Sequence, residues 1–337
     1  MANSLDFKSV SELSTLIRSK EVSPVEILKH TISRIDELEK KLNTFASIDI
    51  DSAKQMAKES EKRALKGNLL SEVDGIPTSI KDLIAQKGHP QRFGSKTTPD
   101  AKLEIDAPSV ERLRNAGAVL LGKSTTSEFG CKAVGDSPLT GITRNPWNLE
   151  KTPGGSSCGA AAQVASGMLP FAIGTDGGGS VRIPSSLTGL FGIKAQFGRV
   201  PVYPVSATPT LAHVGPLCRD VTDGAIVLKI ISGHDRKDPF SVSQNIPNYV
   251  GATTENTKLK VLASSTLGYA KPNQEVLSIF NKAVQDTEKL GHEVEINEKI
   301  MENDPVHLWN AEFYAGVGTK LRAVIDSKPD LIDPPIL

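Results

Sequence analysis

From Gly75 onward the chain alternates short apolar runs with helix-forming stretches, and this alternation restricts the fold more than any other feature. Residues 76–83, 119–122, 171–174 and 192–194 read as strands, bounded by glycine-rich turns. Residues 110–116 and 160–166 read as helices between them. Strands and helices in alternation bury their apolar faces as layers, which predicts an α/β/α sandwich around a central mixed β-sheet. Near the end, residues 259–263, 274–290 and 292–296 read as strand, helix and strand, a βαβ unit by period and length.

Ahead of Gly75 the first 65 residues read as helical. Ser23 stands at an N-cap position, Pro24 follows at the first helical position, and Val25, Ile27, Leu28, Ile32, Ile35 and Leu38 recur at near-helical spacing. A further helix runs through residues 52–66 and stops at Gly67. The expected organisation is a single domain over residues 1–337. Its parts are N-terminal helices (1–70), a catalytic core (71–235), a polar surface connection (236–257) and the βαβ-containing C-terminal part (258–337).

Composition removes several function classes. Lysine plus arginine and aspartate plus glutamate both number 39, giving a net charge of zero. No basic stripe points to nucleic acid. The longest apolar stretches, near residues 118–121 and 225–231, are far short of a membrane span. Cys131, Cys158 and Cys218 are odd in number and form no CxxC pair, so neither a disulfide framework nor a metal site is indicated. With no secretory leader in Met1–Phe7, a cytoplasmic location is expected.

Three segments could carry chemistry. Pro153-Gly154-Gly155-Ser156-Ser157-Cys158-Gly159 runs into an alanine-rich helix, whose unpaired N–H groups suit an anion; a turn with a capped helix reads equally well. Gly174-Thr175-Asp176-Gly177-Gly178-Gly179-Ser180-Val181-Arg182 places three glycines in a row, costly in entropy unless the backbone needs unusual torsions. Convergent N–H groups of Gly177, Gly178 and Gly179 would form an oxyanion hole beside Ser180; the alternative is a flexible loop. Asp176 and Arg182 brace that turn as an ion pair or are solvated surface charges. Lys81 interrupts the apolar run 76–84, either as an edge-strand charge or as a desolvated functional amine.

Taken together, the lysine in Gly75-Ile76-Pro77-Thr78-Ser79-Ile80-Lys81-Asp82, the Gly-Gly-Ser-Ser loop and the Gly-Thr-Asp-Gly-Gly-Gly-Ser-Val-Arg loop resemble the amidase signature family. Thr143-Arg144-Asn145-Pro146-Trp147-Asn148, Gly215-Pro216-Leu217 and the early Glu21-Val22-Ser23-Pro24 extend the resemblance along nearly the whole chain. The resemblance implies Ser180 as nucleophile, Ser156 as a proton relay preceded by a cis peptide bond, and Lys81 as base. Ser157, Thr175, Asp176 and Arg182 are implied as supporting residues. It also implies a small-molecule amide substrate, no cofactor and no metal. A homodimer through the N-terminal helices is a further expectation. Members of the family continue beyond the equivalent of Leu337, so the C-terminal part reads as incomplete.

Lys81 must be uncharged to accept a proton. Bringing a free lysine from a pKa of about 10.4 to about 8 takes roughly 3.3 kcal/mol, which burial in the apolar strand could supply. Four other readings compete. Gly155-Ser156-Ser157-Cys158-Gly159 also fits a nucleophile elbow on Ser157, which needs a histidine from among His213, His234, His292 and His307. Cys158 invites a thiol nucleophile, against a small packing residue. The glutaminase subunit of a tRNA-dependent amidotransferase shares the triad. Its sequence after the glycine–arginine pair resembles VSRYGL, however, whereas this chain has Val200-Pro201-Val202-Tyr203, closer to free-standing amidases. The last reading is an inactive truncated fragment.

Overall fold

The structure is a computed structural model that describes residues 5–255 and 257–337; Asn256, the last residue but one of the expected connection, lies outside them. In chain order the elements are α1 (Val10–Arg18), α2 (Pro24–Leu42), β1 (Phe45–Ile48), α3 (Ile50–Leu65), β2 (Pro77–Lys81), α4 (Pro108–Asn115) and β3 (Val119–Ser124). Two short strands, β4 (Asp136–Ser137) and β5 (Gly141–Ile142), precede α5 (Cys158–Ala165), β6 (Phe171–Asp176), α6 (Arg182–Thr188), β7 (Phe191–Gly192) and β8 (His213–Cys218). The remainder is α7 (Val221–Ile231), α8 (Tyr249–Ala252), β9 (Lys260–Ala263), α9 (Gln274–Lys289), β10 (Glu293–Ile296) and α10 (Val306–Ser327).

The chain divides into two compact units, Met1–Thr253 with Gly316–Leu337, and Thr254–Ala315. In the first, six strands form a mixed sheet in the order β1-β3-β2-β6-β8-β7. Strands β3, β2 and β6 run parallel, while β1, β8 and β7 pair antiparallel. The second contains β9 and β10, paired in parallel with α9 between them in sequence. The fold is the expected mixed α/β architecture, with α-helices around a central mixed sheet.

The helices start where the sequence directs. The Ser23 hydroxyl accepts from Glu26 N–H and the Glu26 carboxylate accepts from Ser23 N–H, a capping box with Pro24 locked at the first position. Ile27, Leu28, Ile35 and Leu42 then bury one face of α2. Each such side chain, fully withdrawn from water, contributes about 1.5–3 kcal/mol.

One expectation is corrected and one element is added. Residues 45–48 are not helical: they form β1, which pairs antiparallel with residues 122–124 at the sheet edge. A chain segment of four residues shows too little periodicity to be seen alone, and the partner strand decides its state. Residues 213–218, unassigned from sequence, form β8 and pair with all six residues of β6, from Phe171↔Cys218 to Asp176↔His213.

Candidate active site

Strands β2, β3 and β6 end at the same edge of the sheet, where open α/β folds place their binding sites. Lys81 is the last residue of β2, and β2 lies between β3 and β6. The edge-strand reading of Lys81 therefore falls: the residue is 0% exposed within a fully buried strand. Its Nζ donates to Ser156 Oγ at 2.7 Å and to Thr175 Oγ1 at 2.9 Å. Burial disfavours the ammonium and pulls the Lys81 pKa down to about 7, against opposing attraction from Cys158 and Asp176.

The Gly-Gly-Ser-Ser loop turns tightly to present Ser156. The Gly155–Ser156 peptide bond is cis, as the resemblance implied. A Cβ on Gly155 would stand 2.4 Å from the Val134 carbonyl oxygen, so no larger residue fits. Ser157 precedes α5, and its hydroxyl and the Thr175 backbone exchange hydrogen bonds at 3.3 Å, tying this loop to the end of β6. Within the sheet, Ser79 Oγ donates to Gln163 Oε1 at 2.5 Å, which fastens α5 across β2.

Asp176 organises the glycine loop. Its buried carboxylate accepts from the N–H groups of Gly179 (2.7 Å), Val181 (3.2 Å) and Arg182 (3.3 Å). The Arg182 guanidinium completes a two-pronged pair at 2.9 and 2.8 Å. Burial alone would raise this carboxyl, but Arg182 and the loop N–H groups outweigh it and hold the pKa below its usual value. The ion-pair reading of Asp176 and Arg182 is thus the one the structure adopts. It also corrects one expectation: the Gly179 N–H is spent on Asp176 and does not join an oxyanion hole. Asp176→Asn should lower unfolding free energy by about 2–3 kcal/mol, less than a fully buried pair because Arg182 is 53% exposed. Urea denaturation checks this, and an unchanged midpoint would refute the bracing role.

Ser180 is half-buried, and its carbonyl accepts from Ser157 N–H at 3.3 Å. Among the described residues its hydroxyl makes no hydrogen bond, so Lys81 and Ser156 are directly joined while Ser180 stands one contact short. Gly178 is exposed at the loop tip.

The competing residues take structural places. Cys158 is 1% exposed, its thiol donates to Thr125 Oγ1 at 3.6 Å, and burial raises its pKa. His213 Nδ1 faces the carbonyls of Leu211 and Asp176, and no histidine among the described residues hydrogen-bonds Ser157. Sequence reasoning missed the turn at Glu128–Gly130: a Cβ on Gly130 would lie 3.3 Å from Ser156 Oγ, so this turn borders the candidate site. Its only signal was the glycine after Phe129.

The amidase family model matches residues 26–317. The chain belongs to the amidase signature family. It is similar to the A subunit of glutamyl-tRNA(Gln) amidotransferase from Anaeromyxobacter dehalogenans, 39% identical over 72% of this chain and 49% of the relative. The corresponding protein from Geobacillus kaustophilus is 40% identical over 74% of this chain and 52% of the relative. The chain thus spans about half the length of the curated relatives it matches. Among solved structures, a bacterial aryl acylamidase of the family superposes with a TM-score of 0.91 at 29% identity, covering 98% of this chain and 71% of that one. The 6-aminohexanoate cyclic dimer hydrolase gives 0.88 at 26% identity, over 98% and 70%. Among the described residues no helix is long and apolar enough to cross a membrane.

Proposed function

We infer that the chain hydrolyses a small-molecule carboxamide, with Ser180 as nucleophile, Ser156 as relay and Lys81 as base. The observation that carries this is a buried amine, with its pKa near 7, held 2.7 Å from a serine hydroxyl. When Lys81 is neutral the contact reverses, and the Ser156 O–H donates to the amine. Ser156 then takes the Ser180 proton as Ser180 Oγ attacks the carbonyl carbon. The N–H groups of Gly177, Gly178 and Ser180 would stabilise the developing oxyanion. The collapse of the tetrahedral intermediate breaks the C–N bond, and the proton held by Lys81 returns through Ser156 to the leaving amine. Water enters by the same relay and releases the acid from Ser180. No step needs a cofactor or metal. The three free cysteines fit a reducing, cytoplasmic setting.

A fluorophosphonate probe tests the assignment. The adduct should map to Ser180 by peptide mass and vanish in Ser180→Ala. An adduct on Ser157 or Cys158 would overturn it.

A second reading rests on the relatives at 39–40% identity, which carry the name of an amidotransferase component. In that role the same site would release ammonia from glutamine within a complex. Hydrolysis of glutamine, with co-purifying partner proteins, would favour it over a free-standing amidase acting on other amides. A chain that takes no probe, beside a longer version that does, would favour the inactive-fragment reading.

A further inference from the structure

Away from the hydrolytic residues, a cleft of about 540 Å³ opens beside α2, bordered by the loop of Trp147 and by the C-terminal ends of α5 and α6. Its walls are mainly apolar: Leu38, Leu42, Trp147, Leu149 and Leu190 contribute side chains. Trp147 is 75% exposed, yet its indole N–H is fixed at 2.8 Å on the Thr188 carbonyl, so the ring is held as a rigid open wall. Large aromatic surface held in place but uncovered is the usual mark of a binding surface.

The charge on this cleft is one-sided. Arg34, Lys41 and Arg219 line it, and no acidic residue does. Arg34 reaches the Ser166 carbonyl and is neutralised by Glu37 at 2.7 Å and Asp6 at 3.7 Å, which leaves Lys41 as the cation open to a ligand. Arg219 spends its donors on the carbonyls of Val164, Leu169 and Lys8, lies over the Phe7 ring, and is balanced by the nearby carboxylates of Asp223, Asp220 and Glu12. Lys41 is exposed and makes no ion pair among the described residues. The arginines have a bland role in capping the end of α5. Lys41 has none, and the apolar surface around it is unaccounted for.

We propose that this cleft binds an apolar monoanion, an alkyl or aryl-alkyl carboxylate, with its chain along Leu38, Leu42 and Trp147 and its carboxylate towards Lys41. The volume falls within the range of small-ligand pockets, and the mixture of apolar wall and few polar anchors matches them. A neutral hydrocarbon would leave Lys41 unmatched, and a cationic amphiphile would be repelled.

Dodecanoate, kept below its micelle-forming concentration, is the probe. Terminally brominated dodecanoate should quench Trp147 saturably, and quenching should disappear in Trp147→Phe, whose remaining Trp309 serves as reference. Lys41→Glu should weaken binding by about tenfold or more, since one favourable contact becomes a repulsive one. Dodecanol and dodecyltrimethylammonium should bind at least about tenfold more weakly than the carboxylate. Neither variant should alter amide hydrolysis in the absence of dodecanoate. Absence of saturable quenching would overturn the proposal. So would equal affinity for dodecanol, or sedimentation showing that a second copy of the chain covers Trp147.

Discussion

Ser180→Ala is expected to reduce kcat/KM for amide hydrolysis by about 10⁴–10⁶-fold, because loss of the attacking oxygen removes covalent catalysis entirely. What remains is the rate enhancement from binding and from the loop N–H groups. The substitution should leave stability nearly unchanged. The Ser180 hydroxyl makes no hydrogen bond among the described residues, and the loop around it is held by Asp176, not by Ser180. The expected result is thus a folded, substrate-binding, inactive chain, checked by steady-state kinetics beside a melting curve. Residual turnover within tenfold of wild type would move the nucleophile elsewhere. Ser156→Ala should be nearly as severe, since Lys81 would then have only Thr175 as a hydrogen-bond partner.

The three motifs proposed to bear the chemistry were visible in the sequence because each depends on local rules. Glycines occur where side chains cannot fit, as at Gly155, and an amine interrupts an apolar run, as at Lys81. What could not be read locally was decided by pairing at a distance. An apolar run containing a lysine looks the same at a sheet edge as at its centre; only neighbours on both sides of β2 make Lys81 buried. Strand β8 escaped notice because Gly215-Pro216 reads as a break, yet six residues of β6 lie opposite it. Helix α10 contains Gly316 and Gly318, which mask its period. The Gly177–Ser180 loop illustrates the same limit in chemistry. Three glycines suggested three oxyanion donors, but a carboxylate six positions before Arg182 claims the third of them.

Lys81→Met is the more demanding prediction, since it couples rate and stability through one ionisation. In the wild-type chain kcat/KM should rise with pH to a midpoint at about 7 and then level off, as Lys81 loses its proton. This lies below the value of about 8 that the sequence led us to expect, because burial is complete. Lys81→Met should remove this pH dependence together with at least about 10²–10⁴-fold of the rate. Stability should move with the same proton. Between the folded pKa of about 7 and the unfolded one of about 10.4, the unfolded chain carries a proton on Lys81 that the native chain lacks, so stability increases with pH across this window. Lys123, also buried and lowered to about 8, acts in the same direction. The buried thiols of Cys131, Cys158 and Cys218 have raised pKa values and act oppositely, since above about pH 8.5 the unfolded chain releases protons that the native chain retains. The net gain is therefore confined to about pH 7–8.5, where Lys81 alone contributes about 2 kcal/mol. Urea unfolding at both ends of that interval should show this gain in wild type and a gain smaller by about 2 kcal/mol in Lys81→Met, where only Lys123 contributes. If the variant keeps the full increase, Lys81 is not the depressed amine and cannot be the base.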